Sequence, residues 1–411
     1  MVSYNYVIVG GGVAAGKACE GIRELDQSGS IAVVTDEPHR PYHRPSLSKE
    51  YLIGEKQLEE VFVGDEDFYT ENDIDLITNT RALKIDPAGH SVTLNDDRTL
   101  EYRRLLLATG GRARRLPLPG ADLENVFTLR TIENSQAIQE AGGEGRRALV
   151  MGGSFIGSEV AASLTMRGTD VTMLFPGSRL LERLAPQELS DFLHQMYKEK
   201  GIRILTGTVA TALRGDGAVK SVELDNDEAL EIDMSVMGVG IRLNTELAGR
   251  AGLELGMQNA VIVDERLRTS DPSIYAAGDI AAWPDRTFNK RLRVEHWDVA
   301  RGHGLQAGRN MAGEDKAYTR IPYFFSDLFD FSFEVWGNLT SWDQTVLRGS
   351  LEEGSFAFYY FDQGQMTGVL TTGRPDEERE PMQELVRARP SYESVVTGLR
   401  DESMDLVDLL E

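Results

Sequence analysis

Apolar runs that end in turns of small residues organise this chain. Residues 5–16 read NYVIVGGGVAAG: a β-branched run suited to a buried strand, then a glycine turn. AGKACEGIREL follows at helical spacing, and SIAVVTDE forms a second strand that ends on Asp36 and Glu37. The same order then returns. Residues 147–157 read RALVMGGSFIG, with SEVAASLTMRG as the helix and TDVTMLFP as the next strand. Two further apolar strands close on small residues, LLLATGG at 105–111 and IYAAGD at 274–279. Strands alternating with helices predict an α/β fold built on parallel sheets.

The turns carry chemistry. Gly10, Gly12 and Ala15 stand in G-x-G-x-x-A spacing: the first permits a tight turn, the second lets a pyrophosphate approach backbone amides, and the third lets helix pack on strand. Asp36 and Glu37 fall about 25 residues on, where an acid hydrogen-bonds a ribose diol. Gly152, Ser154 and Gly157 repeat the pattern, with Ser154 narrowing the middle position without closing it. One chain therefore predicts two dinucleotide sites. Thr109 with Gly110, and Gly278 with Asp279, mark strand ends over which a large cofactor can lie. This order implies a discontinuous first domain, 1–115 and 246–318, a second at 116–245, and the proline-rich RRLPLPG as the crossover between them.

Bulk composition narrows the classes. The chain has 411 residues, is 41% hydrophobic and carries a formal charge of -23, which argues against sequence-independent nucleic-acid binding. It opens on an apolar strand, with no basic leader and no apolar run of membrane-spanning length, so a cytoplasmic protein with no membrane association is expected. A single cysteine, Cys19, excludes an intramolecular disulfide and leaves no cysteine-ligated metal site; no metal is expected, and any redox chemistry must use a bound cofactor. Cys19 itself is expected to be a small core residue. Against the acidic background stands RPYHRPSLSK at 40–49, a basic loop stiffened by two prolines.

With these motifs in hand, the chain resembles the two-dinucleotide flavoprotein reductases, in the branch of ferredoxin reductases, apoptosis-inducing factor and monodehydroascorbate reductase. The resemblance spans VIVGGGVAAG, PYHRPSLSK, LLLATGGRARRLPLPG, GGSFIGSEVA, YAAGDIA, RVEHWDVARGHG and PYFFSDLFDFS, in that order. It implies two Rossmann-like domains of the glutathione-reductase type, FAD on the first and NADH or NADPH on the second, with a C-terminal α+β domain at 319–411. It assigns Arg44 to the FAD phosphates, Lys49 to the flavin, Arg130 to the FAD and Asp279 to the ribityl chain. Glu295, His296 and Trp297 match the helix start beneath the flavin ring, Phe155 the aromatic gate and Glu159 the acid near the nicotinamide. Gly240 in GVGIRLNTEL joins the cofactor-binding set, and Lys49, Glu159 and His296 are the implied catalytic group. Lys49 would stabilise an anionic reduced flavin, and Glu159 would position Lys49 or the carboxamide.

Departures from the pattern matter as well. Relatives place an acid after Phe-Pro at the end of the second strand of the nicotinamide domain, whereas LFPGSR has Gly177, then Ser178 and Arg179. Loss of the carboxylate, with Arg179 nearby, predicts that NADPH serves at least as well as NADH. Phe325 stands where relatives carry Trp or Tyr against the flavin, and Ser46 and Ser48 stand where disulfide-reducing members carry cysteine. The implied activity is electron transfer from NAD(P)H through FAD to an external acceptor, foremost a ferredoxin-like iron-sulfur protein docking at Arg286, Lys290, Arg291 and Arg293. The alternatives are a small organic radical or quinone held near Arg301, and an apoptosis-inducing-factor-like redox-responsive role. Monomer and homodimer both remain open.

Overall fold

The computed structural model describes residues 2–65 and 67–410. The chain divides into two compact units, Met1–Arg44 with Leu58–Arg112 and Arg242–Pro322, and Pro45–Gln57 with Ala113–Ile241 and Tyr323–Glu411. The basic loop is thus shared: Arg44 closes a segment of the first unit, and Pro45 opens one of the second.

In the first unit β1 (Val2–Val9) runs parallel to β2 (Ile31–Val34) on one side and to Thr99–Leu107 on the other. Ile74–Ile77 extends the sheet beyond β2, and Ile274–Ala276 returns from far along the chain to pair with Thr99–Leu107. Val7, Ile8 and every residue of β2 are buried, as expected of strands covered on both faces. Between β1 and β2 runs α1 (Val13–Arg23), which packs on the helix Trp297–Met311. Glycines set how closely they meet. A Cβ on Gly304 or Gly308 would lie 2.2 Å from the carbonyl oxygen of Ala14 or Ala18. Cys19 is wholly enclosed in α1, and burial pushes its thiol up to about 12, which makes it an inert core residue.

In the second unit β3 (Arg147–Met151), α2 (Phe155–Met166) and β4 (Asp170–Phe175) repeat that order, with Arg203–Thr206, Met234–Met237 and Val126–Phe127 completing a parallel sheet. A five-stranded antiparallel sheet follows, with β5 (Tyr323–Leu328) at one edge and the helices Arg379–Ala388 and Tyr392–Arg400 after it. Residues 45–57 are fastened to this unit by its helices. Ser135 donates to the carbonyl of Leu47 (2.8 Å), Ser163 to that of Ser48 (2.6 Å) and Arg167 to that of Ile53 (3.1 Å). Among the described residues no helix is long and apolar enough to cross a membrane, and no cluster of His, Cys, Asp or Glu is arranged to hold a metal ion.

Candidate active site

The first glycine turn is shaped by close backbone contact. Gly10 has φ +138°, and a Cβ there would lie 2.1 Å from the carbonyl oxygen of Ala108. At Gly12 the corresponding space holds no atom within 4 Å, and no side chain caps α1, whose first turn begins there. Open space beside uncapped amides fits a pyrophosphate. Ala15 is fully buried beneath the turn, and the backbone of Tyr42 bridges to Gly12, which brings the 40–44 loop alongside. Arg44 donates to Glu37 (2.6 Å) and to the Tyr42 hydroxyl (2.8 Å), while Tyr42 donates to the other Glu37 oxygen. Asp36 turns outward to Arg81 at 3.1 Å.

The other strand ends of this unit meet the same turn. A Cβ on Gly278 would lie 3.6 Å from that of Ala14, so the Asp279 turn sits beside the start of α1. The Thr109 hydroxyl donates to the Asn244 carbonyl (2.6 Å), and the Asn244 amide donates back to Thr109 (3.0 Å). Gly110, at φ +56°, accepts from the Asn244 backbone. Glu295 pairs with Arg293 at 2.6 Å. His296 stands at the N-cap position of the helix Trp297–Met311 without a side-chain capping bond; burial pushes its imidazole down to about 4, against the opposing charge of Asp279, so it is neutral at pH 7. The Trp297 indole N–H donates to His43 Nδ1 at 2.9 Å.

The second turn is tighter. Gly152 has φ +132° with its Cβ position 2.3 Å from Gly238 O, and a Cβ on Gly157 would lie 2.1 Å from Gly152 O. The third position must therefore be glycine here, whereas alanine suffices in the first turn. Ser154 begins α2 without capping it through its side chain, and Gly240, at φ +91°, has no atom within 4 Å of its Cβ position. Phe155 meets Phe324 edge-on, ring centres 5.2 Å apart. Arg130 precedes the capped helix Ile132–Ala141, and its backbone N–H donates to Asn134 at 3.1 Å. Arg179 makes no ion pair among the described residues, and its Nε is buried without a partner.

Two of the three implied catalytic residues converge in this unit. Lys49 Nζ lies 3.3 Å from Glu159 Oε1, with both side chains less than 10% exposed. Ser48 donates to Glu159 Oε2 (2.6 Å), Ser326 donates to Oε1 (2.7 Å), and Asp327 lies 3.5 Å from Lys49. The Lys49 ammonium sits 4.6 Å above the centre of the Phe325 ring. Glu159 thus accepts from two hydroxyls while pairing with an ammonium, the pattern of a group that holds a cation in place. His296, the third member, belongs to the first unit.

Comparison with known proteins places this geometry. A profile described as pyridine nucleotide-disulphide oxidoreductase matches residues 4–304, and one described as reductase C-terminal matches residues 323–410. The chain belongs to the pyridine nucleotide-disulphide oxidoreductase family. Monodehydroascorbate reductase 3 of Arabidopsis thaliana is 35% identical over 96% of this chain and 95% of its own length. Putidaredoxin reductase CamA of Pseudomonas putida is 32% identical over 99% and 96%. Among solved structures, the covalent putidaredoxin reductase–putidaredoxin complex superposes with TM-score 0.93 at 31% identity, covering 100% of this chain and 99% of that one. This family member is an oxidoreductase, although its lone buried Cys19 leaves it no redox disulfide.

Several residues around this oxidoreductase site escaped the sequence patterns. Ser326 and Asp327 lie on β5, where Phe324, Ser326 and Leu328 face inward, and a hydroxyl at a core-facing strand position was the available signal. Tyr42 had no signal beyond its place in the basic loop. Glu182 had none at all, yet its Oε2 lies 2.6 Å from the Cβ position of Gly177. The suggested cationic patch is largely spent: Arg286 pairs with Glu265 (2.5 Å), Arg293 with Glu295, and Arg291 donates to the carbonyls of Val263 and Ala282. Among the described residues neither Lys290 nor Arg291 makes an ion pair, and of the two only Arg291 is tied to backbone carbonyls. Arg301 lies 3.5 Å from Asp298 and 5.7 Å from the Trp297 ring centre. In the second unit a cavity of about 340 Å³ is lined by Tyr323, Phe325, Glu334, Trp336 and Arg379, among others.

Proposed function

We propose that the chain is an FAD-dependent NAD(P)H oxidoreductase that passes electrons to a ferredoxin-type iron-sulfur protein, and that it works in the cytoplasm. The observation that carries this reading is the buried Lys49–Glu159 pair fixed by Ser48 and Ser326, in a chain with two dinucleotide turns. The first turn would hold FAD through Gly10, Gly12, Ala15 and Glu37, with Arg44 from the basic loop and Asp279 from the returning strand. The second would hold the nicotinamide nucleotide through Gly152, Ser154, Gly157 and Gly240.

The bound flavin would supply hydride acceptance from the nicotinamide and release of single electrons to the acceptor. The protein would supply placement and field. Lys49 presents a fixed ammonium over Phe325, and Glu159 holds that ammonium against thermal motion. His296, kept neutral by burial, adds no competing charge near Asp279. The relatives support the acceptor class, since two reductases of ferredoxin-type proteins match nearly the whole chain.

A second reading, reduction of a small quinone, draws support from the cavity beside Phe325, whose aromatic walls suit a planar ring. The deciding experiment is stopped-flow oxidation of the NADH-reduced holoenzyme by a [2Fe-2S] ferredoxin and, separately, by a benzoquinone. Oxidation by ferredoxin at tens per second supports the first reading. Rapid turnover with quinone alone supports the second.

A further inference from the structure

The second strand of a dinucleotide-binding half ends where the adenosine ribose lies, and the charge at that point decides between a free 2'-hydroxyl and a 2'-phosphate. At the end of β4 the chain runs Phe175, Pro176, Gly177, Ser178, Arg179, with no acid. The fold supplies one from further along. The turn folds back so that the amide of Leu181 donates to Gly153 O at 2.8 Å, which fastens it to the glycine turn. Glu182 is thereby returned to the strand end. Its Oε2 accepts from the Ser178 amide (3.3 Å) and its Oε1 from the Ser178 hydroxyl (2.9 Å).

The carboxylate occupies the space that a side chain on residue 177 would enter, since Oε2 lies 2.6 Å from the Gly177 Cβ position. Gly177 is therefore not a deletion of the acid but the room made for it. Glu182 makes no ion pair among the described residues, so its charge is not cancelled by a cation, and it is solvent-exposed. A 2'-phosphate placed there would meet an uncompensated carboxylate, whereas a ribose diol would meet an acceptor. Arg179 makes no ion pair with it, and the Arg179 Nε is buried without a partner.

We infer that Glu182 is the specificity residue for the nicotinamide nucleotide and that the protein prefers NADH over NADPH. The inference rests on the proposed function above, because it presumes that the second turn takes a nicotinamide nucleotide.

Equilibrium titration of the oxidised holoenzyme with NAD+ and with NADP+, followed by tryptophan fluorescence, tests it without turnover. The wild-type protein is expected to bind NAD+ at least tenfold more tightly than NADP+. Glu182→Ala should shrink that ratio at least tenfold, mainly by tightening NADP+, and Ser178→Ala should move it part of the way. Gly177→Ala, which displaces the carboxylate without removing it, should also erode the preference. Equal wild-type affinities, or a ratio that Glu182→Ala leaves within twofold, would overturn the inference while leaving the proposed function intact. Failure of wild-type protein to bind either nucleotide would instead overturn that function, and the inference with it. An unchanged flavin spectrum and melting temperature separate a specificity effect from misfolding.

Discussion

The two glycine turns do the same job with different materials. In the first, the acid at the strand end is Glu37, in its expected place, and it is compensated: Arg44 lies 2.6 Å away and Tyr42 donates to it. In the second, the strand-end acid arrives from Glu182 and is held by the neutral donors of Ser178. The first turn therefore offers anchoring with balanced charge, the second an uncompensated negative charge. One site is suited to keep its ligand, the other to choose between ligands. The helices that follow differ too. Lys17 of α1 pairs with Glu20 in a half-buried position (2.7 Å), whereas Glu159, equally placed in α2, is buried against Lys49.

The largest effect expected from breaking this comparison is at the first glycines. Gly10→Ala and Gly152→Ala each force a Cβ into a carbonyl oxygen at a positive φ, and each should cost about 3 kcal/mol or more. Gly12→Ala, facing open space, should cost less than about 1 kcal/mol in chemical denaturation while weakening FAD retention. Next come the helix residues. Lys49→Met strands a buried carboxylate and should destabilise by about 3 kcal/mol with slowed flavin reduction, whereas Lys17→Met should change stability by less than about 0.5 kcal/mol.

Acid should separate the units. Burial lowers His296 to about 4 and His303 to about 3, and both lie in the first unit. A folded value below the unfolded one means that the unfolded chain binds the extra proton. The stability is complete above the unfolded value near 6.5 and falls with pH below it, by up to about 1.4 kcal/mol per pH unit for each histidine. Melting followed at pH 7, 6 and 5 should show the first unit losing stability sooner, and His303→Phe should flatten that slope. The smallest effect is at Ser154. Since its side chain does not cap α2, Ser154→Gly should change stability by only a few tenths of a kcal/mol, about the cost of a cap replaced by glycine.

Much of this was legible in the chain. β1, α1 and β2, and again β3, α2 and β4, follow from apolar runs punctuated by glycine, because the hydrophobic period and the turn residues are local properties. Lys49 and Glu159 were both named from motifs. What no pattern disclosed was Ser326 as a donor to Glu159, since a strand serine becomes a carboxylate donor only when β5 is laid against α2. The cationic run at 286–293 carries less free charge than its letters suggest, for the related reason that sequence counts charges without their partners: Glu265 and Glu295 pair with two of its arginines.

The sequence by itself determined that the chain has two dinucleotide turns, a stiff basic loop after the first and a single cysteine unfit for relay chemistry, all of them matters of residue type and spacing. Tertiary structure decided how those parts are charged. Arg44 was given to Glu37, the loop was divided after it, and the acid that LFPGSR lacks came from Glu182 once the turn folded back on Gly153. The physical reason is that a carboxylate acts through its position in space, and a fold can fill that position from any residue that reaches it.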